Sequence, residues 1–181
     1  PGNLNALVLY YNRTLFRKAG VPFPDNTWDW NRMAAAAQRL TVRDAEDRVL
    51  QYGLVPSDSL NFILWNGARM WSDDGARCIL HDPEAVEGLQ YCLDLVFKHR
   101  VSPTPKEQQS LGNAEAFQTH RAAMLIGPRW LTTMFWELTD VDWSVAALPL
   151  SPRGFRYSAA SFNVLGVNAR TRNPDIAYAY L

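Results

Sequence analysis

ALVLYYNRTLFRKAGV, residues 6–21, is the stretch on which the fold class turns. Leu7 to Tyr11 form an unbroken run of aliphatic and aromatic residues, which suits a pleated sheet. Asn12 stands where a helix N-cap belongs, because its side-chain oxygen can accept from a free amide of the first turn. Gly20 ends that helix and Pro22 lies just beyond it. A strand passing straight into a capped helix is the first half of an alternating pattern.

The alternation continues outward. Thr27 reads as a second N-cap with Asp29 in the first turn, and Trp30, Met33, Ala37 and Leu40 recur at helical spacing. A charged loop, VRDAEDR, leads to an expected strand at residues 51–55, and residues 57–67 read as helical. Asp73-Asp74-Gly75 is a turn signature between two short apolar runs, which predicts a small hairpin. Asp82-Pro83 opens a long helix whose expected core face is Val86, Leu89, Leu93, Val96 and Phe97. VSPTPKEQQSLGN reads as a loop, residues 114–120 as a short helix, and residues 122–126 as a strand. Pro128 is expected to start a helix with Leu131, Met134, Phe135 and Leu138 on one face. Strands at residues 143–148 and 162–167 follow, and Asn173-Pro174 begins a last helix. Strands alternating with helices predict the α/β class.

Composition narrows the function. Hydrophobic residues are 48% and charged residues 20%, as in globular chains. Eighteen basic residues balance eighteen acidic ones, so charge gives no case for a nucleic-acid partner or an anionic membrane. No apolar run is long enough to span a bilayer. The sequence starts almost directly in an apolar strand and stops within a helical pattern, so a fragment of a longer protein is expected. Cys78 and Cys92 form no metal-ligand spacing and read as buried free thiols, while a disulfide, which needs an oxidising compartment and suitable geometry, stays open.

Catalytic and metal patterns are missing. His81, His99 and His120 fall in separate elements. Asp140 and Asp142 could form a carboxylate pair, although easing the chain from helix to strand explains them as well. Seven tryptophans and seven tyrosines remain. Rings at strand ends or in a first helical turn suit sugars, whose C–H faces pack on them while polar neighbours bond the hydroxyls. Trp65, Trp71 and Trp130 stand at such junctions, and periodicity leaves open whether each faces a cleft or fills a core.

Taken in order, the segments resemble a known family. ALVLYYNRTLFRKAGV and NTWDWNRMAAAAQRLT resemble the strand–helix and following helix of the family 1 extracellular solute-binding proteins, the sugar-binding subunits of ABC importers. LWNGARMWSDDGARCILHDPEAVEGLQYCLDLV is similar to their Trp-x-Gly segment, hairpin and long helix, and AFQTHRAAMLIGPRWLT to their run ending in Gly-x-Trp. WSVAALP and VNARTRNPDIAYAYL also fit. The sequence departs from the pattern at His120, where the family has Gly, and at YSAASFNVLGV, where a tryptophan and paired glycines are common.

The resemblance implies an incomplete two-lobed, hinged fold, a periplasmic-binding-protein-like type II lobe. Residues 1–12 would be the first hinge-crossing strand and residues 13–154 the C-terminal lobe. Residues 155–181 would be the return crossing and the start of a helix of the other lobe. By motif position it implies ligand contacts from Trp130, Asn5, Trp65, Arg129, Tyr10, Ser158 and Ser161. It implies a sugar ligand, importer membrane subunits as partners, no cofactor and no covalent chemistry. The location would be periplasmic, or extracellular and lipid-anchored. An isolated lobe of this kind is also expected to self-associate or swap domains. Two other readings stay open: a carbohydrate-active enzyme domain with two converging carboxylates, and a protein-interaction domain with an aromatic face.

Overall fold

Leu9, Tyr10 and Tyr11 are all buried, although successive residues of a strand point to opposite faces. The strand that holds them is therefore covered on both sides, and that fact organises the molecule. The computed structural model describes residues 4–158 and 160–180. In chain order its elements are β1 (Leu4–Asn5), β2 (Leu7–Asn12), α1 (Arg13–Ala19), α2 (Trp30–Leu40), β3 (Val42–Arg43), β4 (Val49–Gln51), α3 (Ser59–Trp65), α4 (Pro83–Phe97), α5 (Pro105–Leu111), α6 (Asn113–Gln118), β5 (Met124–Pro128), α7 (Leu131–Phe135), β6 (Trp143–Ala146), β7 (Ser161–Phe162) and α8 (Pro174–Ala179).

The central sheet has the order β5-β2-β6, with β2 antiparallel to both neighbours. Residues 52–55 run parallel along the outer edge of β5 through bridges at Tyr52–Ala122 and Val55–Leu125. The period of two divides the side chains cleanly. Leu9, Tyr11, Met124 and Ile126 enter one core with Phe16, Trp30, Met33, Phe62 and Trp65, beneath α1 to α4. Tyr10 and Leu125 enter the other with Phe117, Leu131 and Phe135, beneath α6 and α7. A separate ribbon pairs β1 with β7, Leu4 opposite Phe162 and Asn5 opposite Ser161.

Several local expectations hold. Asn12 caps α1 through the Leu15 amide, and Gly20 closes it in the left-handed region at φ 62°. Trp30, Met33, Ala37 and Leu40 are all buried. Others are corrected. The cap of α2 is Asp29, which accepts from the Arg32 amide, while Thr27 is engaged by Asp25. The presumed loop after Val101 contains α5, started by a capping box in which Thr104 and Glu107 satisfy each other's amides. The last expected strand is confined to Ser161–Phe162. Cys92 is buried, but Cys78 lies exposed on the hairpin that also carries Trp71.

The largest correction concerns α4. Its buried residues are Ala85, Gly88, Cys92 and Leu95, whereas Val86, Leu89, Leu93 and Phe97 are exposed. Gly88 gives the reason. A Cβ there would sit 2.7 Å from the Phe62 carbonyl oxygen, so α4 meets α3 backbone to backbone. Only the small-residue stripe permits that approach, and the bulky stripe is left outside.

Candidate functional site

With both faces of β2 and β5 covered, a ligand can reach the sheet only at its ends. At one end Leu7 opposes Pro128, and the Arg129 amide donates to the Ala6 carbonyl at 2.8 Å. The Leu7 amide donates to the Ser158 hydroxyl oxygen. Two residues earlier, Asn5 faces Ser161 across the β1–β7 ribbon. Arg129, Trp130, Asn5 and Ser158 are thus brought to one end of the sheet from three separate parts of the chain. The side chain of Ser161 lies outside the described residues.

Trp130 follows a strand end, not a helix start. Pro128 is the last residue of β5, and Trp130 is the N-cap of α7 at φ −64° and ψ −21°. Leu131 and Phe135 are buried and clamp α7 onto the sheet, whereas Trp130 is 52% exposed. Met134 was expected in the core, but it is also exposed, one turn beyond Trp130.

Two expected ligand contacts are core residues instead. Tyr10 is fully buried and stands edge-on to Phe135 at 5.1 Å. Its hydroxyl lies 3.1 Å from the Pro128 carbonyl, 3.2 Å from the Arg129 carbonyl and 3.0 Å from the Thr132 hydroxyl. Burial raises its pKa, so it stays a neutral donor. Tyr10 thereby ties down the turn that carries Trp130. Trp65 is buried against Trp30, and its indole N–H donates to the Pro149 carbonyl at 2.9 Å. Neither ring has a free face, because each strand or helix position they occupy points into a packed layer.

Tyr157 was missed by sequence reasoning. It is half-exposed, adjoins Ser158 and stacks on Phe155 with ring centroids 4.9 Å apart. The signal available was the aromatic pair just before the serine in FRYS. The Phe155 ring occupies the space where a Cβ on Gly67 would stand, which fixes the pair against the end of α3.

The acidic residues lie elsewhere. Asp142 bonds Arg13 and Arg17 beside the far end of β2, where Asn12 opposes Trp143. Burial pushes its carboxyl up, but the hydrogen bonds and charges of Arg17 and Arg13 outweigh that and hold it below the ordinary range. Asp140 stands 3.9 Å from His120, whose ring bonds the buried Asn12 at that same end. The strand places this end roughly 17 Å from Leu7 at about 3.4 Å per residue. Among the described residues no group of three or more His, Cys, Asp or Glu converges to hold a metal ion. No described helix is long and apolar enough to cross a membrane.

Comparison with known proteins gives this geometry a context. A Deinococcus radiodurans protein described as an ABC transporter-binding protein is 27% identical over 98% of this chain, which spans 44% of that relative. A Listeria monocytogenes ABC substrate-binding protein, solved in complex with cycloalternan, superposes with a TM-score of 0.80 at 24% identity, over 98% of this chain and 45% of its own. A Thermotoga lettingae solute-binding protein bound with α-D-tagatose gives 0.78 at 22% identity, over 99% of this chain and 47% of its own. The two structural likenesses establish the fold, and the chain spans less than half the length of each of these proteins. The family model for bacterial extracellular solute-binding proteins matches residues 1–181, so the chain belongs to that family.

Proposed function

We propose that the whole protein captures a sugar outside the cytoplasmic membrane and delivers it to the membrane subunits of an ABC importer. The observation that carries this reading is the half-exposed Trp130 indole, held on a braced turn beside Asn5, Ser158 and Arg129. The indole would stack on an apolar sugar face while the three polar side chains and Tyr157 bond hydroxyls around it. The sugars named for the Listeria and Thermotoga structures support that ligand class. We assign the β1–β7 ribbon, within residues 1–12 and 155–181, to a crossing between two lobes, with residues 13–154 as one lobe and the ligand between them. The binding cycle involves no covalent chemistry. A periplasmic position, or an anchored extracellular one, goes with this role.

Calorimetry of the full-length protein against a sugar panel tests it, with Trp130→Ala alongside. A Trp side chain buries at most about 250 Å² and a sugar covers about one face, so roughly 65 Å² of the exposed part would be lost. At about 25 cal/mol per Å² this is ~1.6 kcal/mol, or about 15-fold in affinity. Equal affinity in the variant rejects Trp130 as the platform. A panel in which nothing binds rejects the sugar class.

A further inference from the structure

At the opposite end of β5 from Trp130 lies an open cavity of about 680 Å³. Arg43, Arg48, Arg100, Lys106 and Arg121 line it, against Asp47 and Glu107 as its carboxylates. Three of the cations are already engaged. Arg48 pairs with Asp44 and Glu46, and Arg43 and Arg100 share Asp47. Glu107 is occupied by the Thr104 amide and hydroxyl and by the Tyr52 hydroxyl. Lys106 and Arg121, both exposed, have no ion pair among the described residues.

The backbone brings these two cations to the same ring. The Tyr52 amide donates to the Arg121 carbonyl at 2.8 Å, and Lys106 immediately precedes the glutamate that holds the Tyr52 hydroxyl. Tyr52 itself is 6% exposed, and with Val49 and Leu111 it supplies an apolar wall to the cavity.

We propose that this cavity binds a phosphate group carried on a small organic body. Lys106 and Arg121 hold the phosphate, and Tyr52, Val49 and Leu111 lie against the body. Cations outnumber carboxylates in the lining, which suits an anion, and a guanidinium presents parallel N–H donors that fit phosphate oxygens. The volume lies within the range of about 300–1,000 Å³ typical of small-molecule sites and exceeds what a bare phosphate fills. Two free cations are too few for a nucleic acid, whose affinity rests on many neutralised phosphates. The cavity stands roughly 20 Å from Trp130, given the rise of the intervening strand, so it is separate from the sugar platform.

Titration calorimetry with pyrophosphate, at an ionic strength fixed by sodium chloride, tests the site. A Lys106→Ala/Arg121→Ala double variant and vesicles of phosphatidylglycerol or phosphatidylcholine complete the set. Both side chains are exposed, so the variant should fold, and its circular dichroism and sugar affinity should match the parent. The expected result is saturable pyrophosphate binding that weakens at least about tenfold in the double variant. Vesicle binding that needs phosphatidylglycerol and is lost in the double variant supports the same chemistry with a lipid headgroup as its source. Equal binding by parent and variant overturns the proposal, as does a response to neither probe.

Discussion

Tyr10→Phe removes one oxygen and leaves a ring that packs as before against Phe117, Phe135 and Trp143. What it deletes is the hydroxyl that bridges the Pro128 and Arg129 carbonyls to the Thr132 side chain. Leaving buried partners unsatisfied costs about 1–3 kcal/mol. Here the lower part of that range applies, because the three contacts are only partly buried, with Pro128 half-buried and Arg129 exposed. A loss of about 1–1.5 kcal/mol follows, roughly 2–6 °C in Tm for a chain of this size. Thermal and denaturant unfolding of Tyr10→Phe, Thr132→Val and the double variant would measure it. Because the two hydroxyls share one hydrogen bond, the double variant should lose about 0.5–1 kcal/mol less than the sum of the singles. In the full-length protein the same Tyr10→Phe change should weaken sugar binding without touching the sugar, since it loosens the turn under Trp130. Full additivity of the two substitutions, or unchanged stability in Tyr10→Phe, would refute the bracing role.

Gly88→Ala places a Cβ 2.7 Å from the Phe62 carbonyl oxygen and 2.9 Å from the Ile63 Cα, so α3 and α4 must part. Urea unfolding should show a loss of about 1–3 kcal/mol, as overpacking of a helix contact does. A short iodoacetamide pulse at pH 8, read by mass spectrometry, should label exposed Cys78 first. Cys92 should lag, because burial, with the charge of Asp58 adding to it, pushes its thiol up to about 11. Asp142→Asn should lower Tm near neutral pH by removing the partner of Arg13 and Arg17. The folded carboxyl sits below its unfolded value of about 3.9, so its stabilisation is complete above that pH and lost as pH falls through the folded value. The Tm gap between Asp142→Asn and the parent should therefore close in acid, and a gap independent of pH would contradict the assignment.

The two helices α2 and α4 show what pattern reading can and cannot reach. In α2 the bulky apolar residues Trp30, Met33 and Leu40 are also buried ones, and periodicity identifies the face directly. In α4 two stripes compete, one bulky and one small, and hydrophobicity ranks the bulky stripe first. The deciding term is how closely two backbones can approach, which depends on a partner helix that a single segment does not reveal. The same limit separates Trp65 from Trp130. Both follow apolar runs beside polar residues. Trp65, however, ends a helix lying on a covered sheet face, while Trp130 follows a strand at its uncovered end. The pairing that makes the difference joins residues more than a hundred positions apart.

That long-range pairing also accounts for where the proposed site lies. β2 and β5 run antiparallel, so the start of one meets the finish of the other, and Ala6–Leu7 lies beside Pro128–Trp130. Leu9, Tyr10 and Tyr11 use both faces of β2 for the two cores and leave no side chain there for a ligand. The proposed site is thus built from residues just outside the ladder, whose backbones the sheet still fixes. Asn5, Arg129, Trp130 and Ser158 all satisfy that condition, and Tyr10 fails it by being one of the fixed points. The tyrosine nonetheless braces the proposed site, since its hydroxyl ties down the turn at the edge of the ladder. A contact made from the core can in this way set the position of a ring that the core itself cannot enclose.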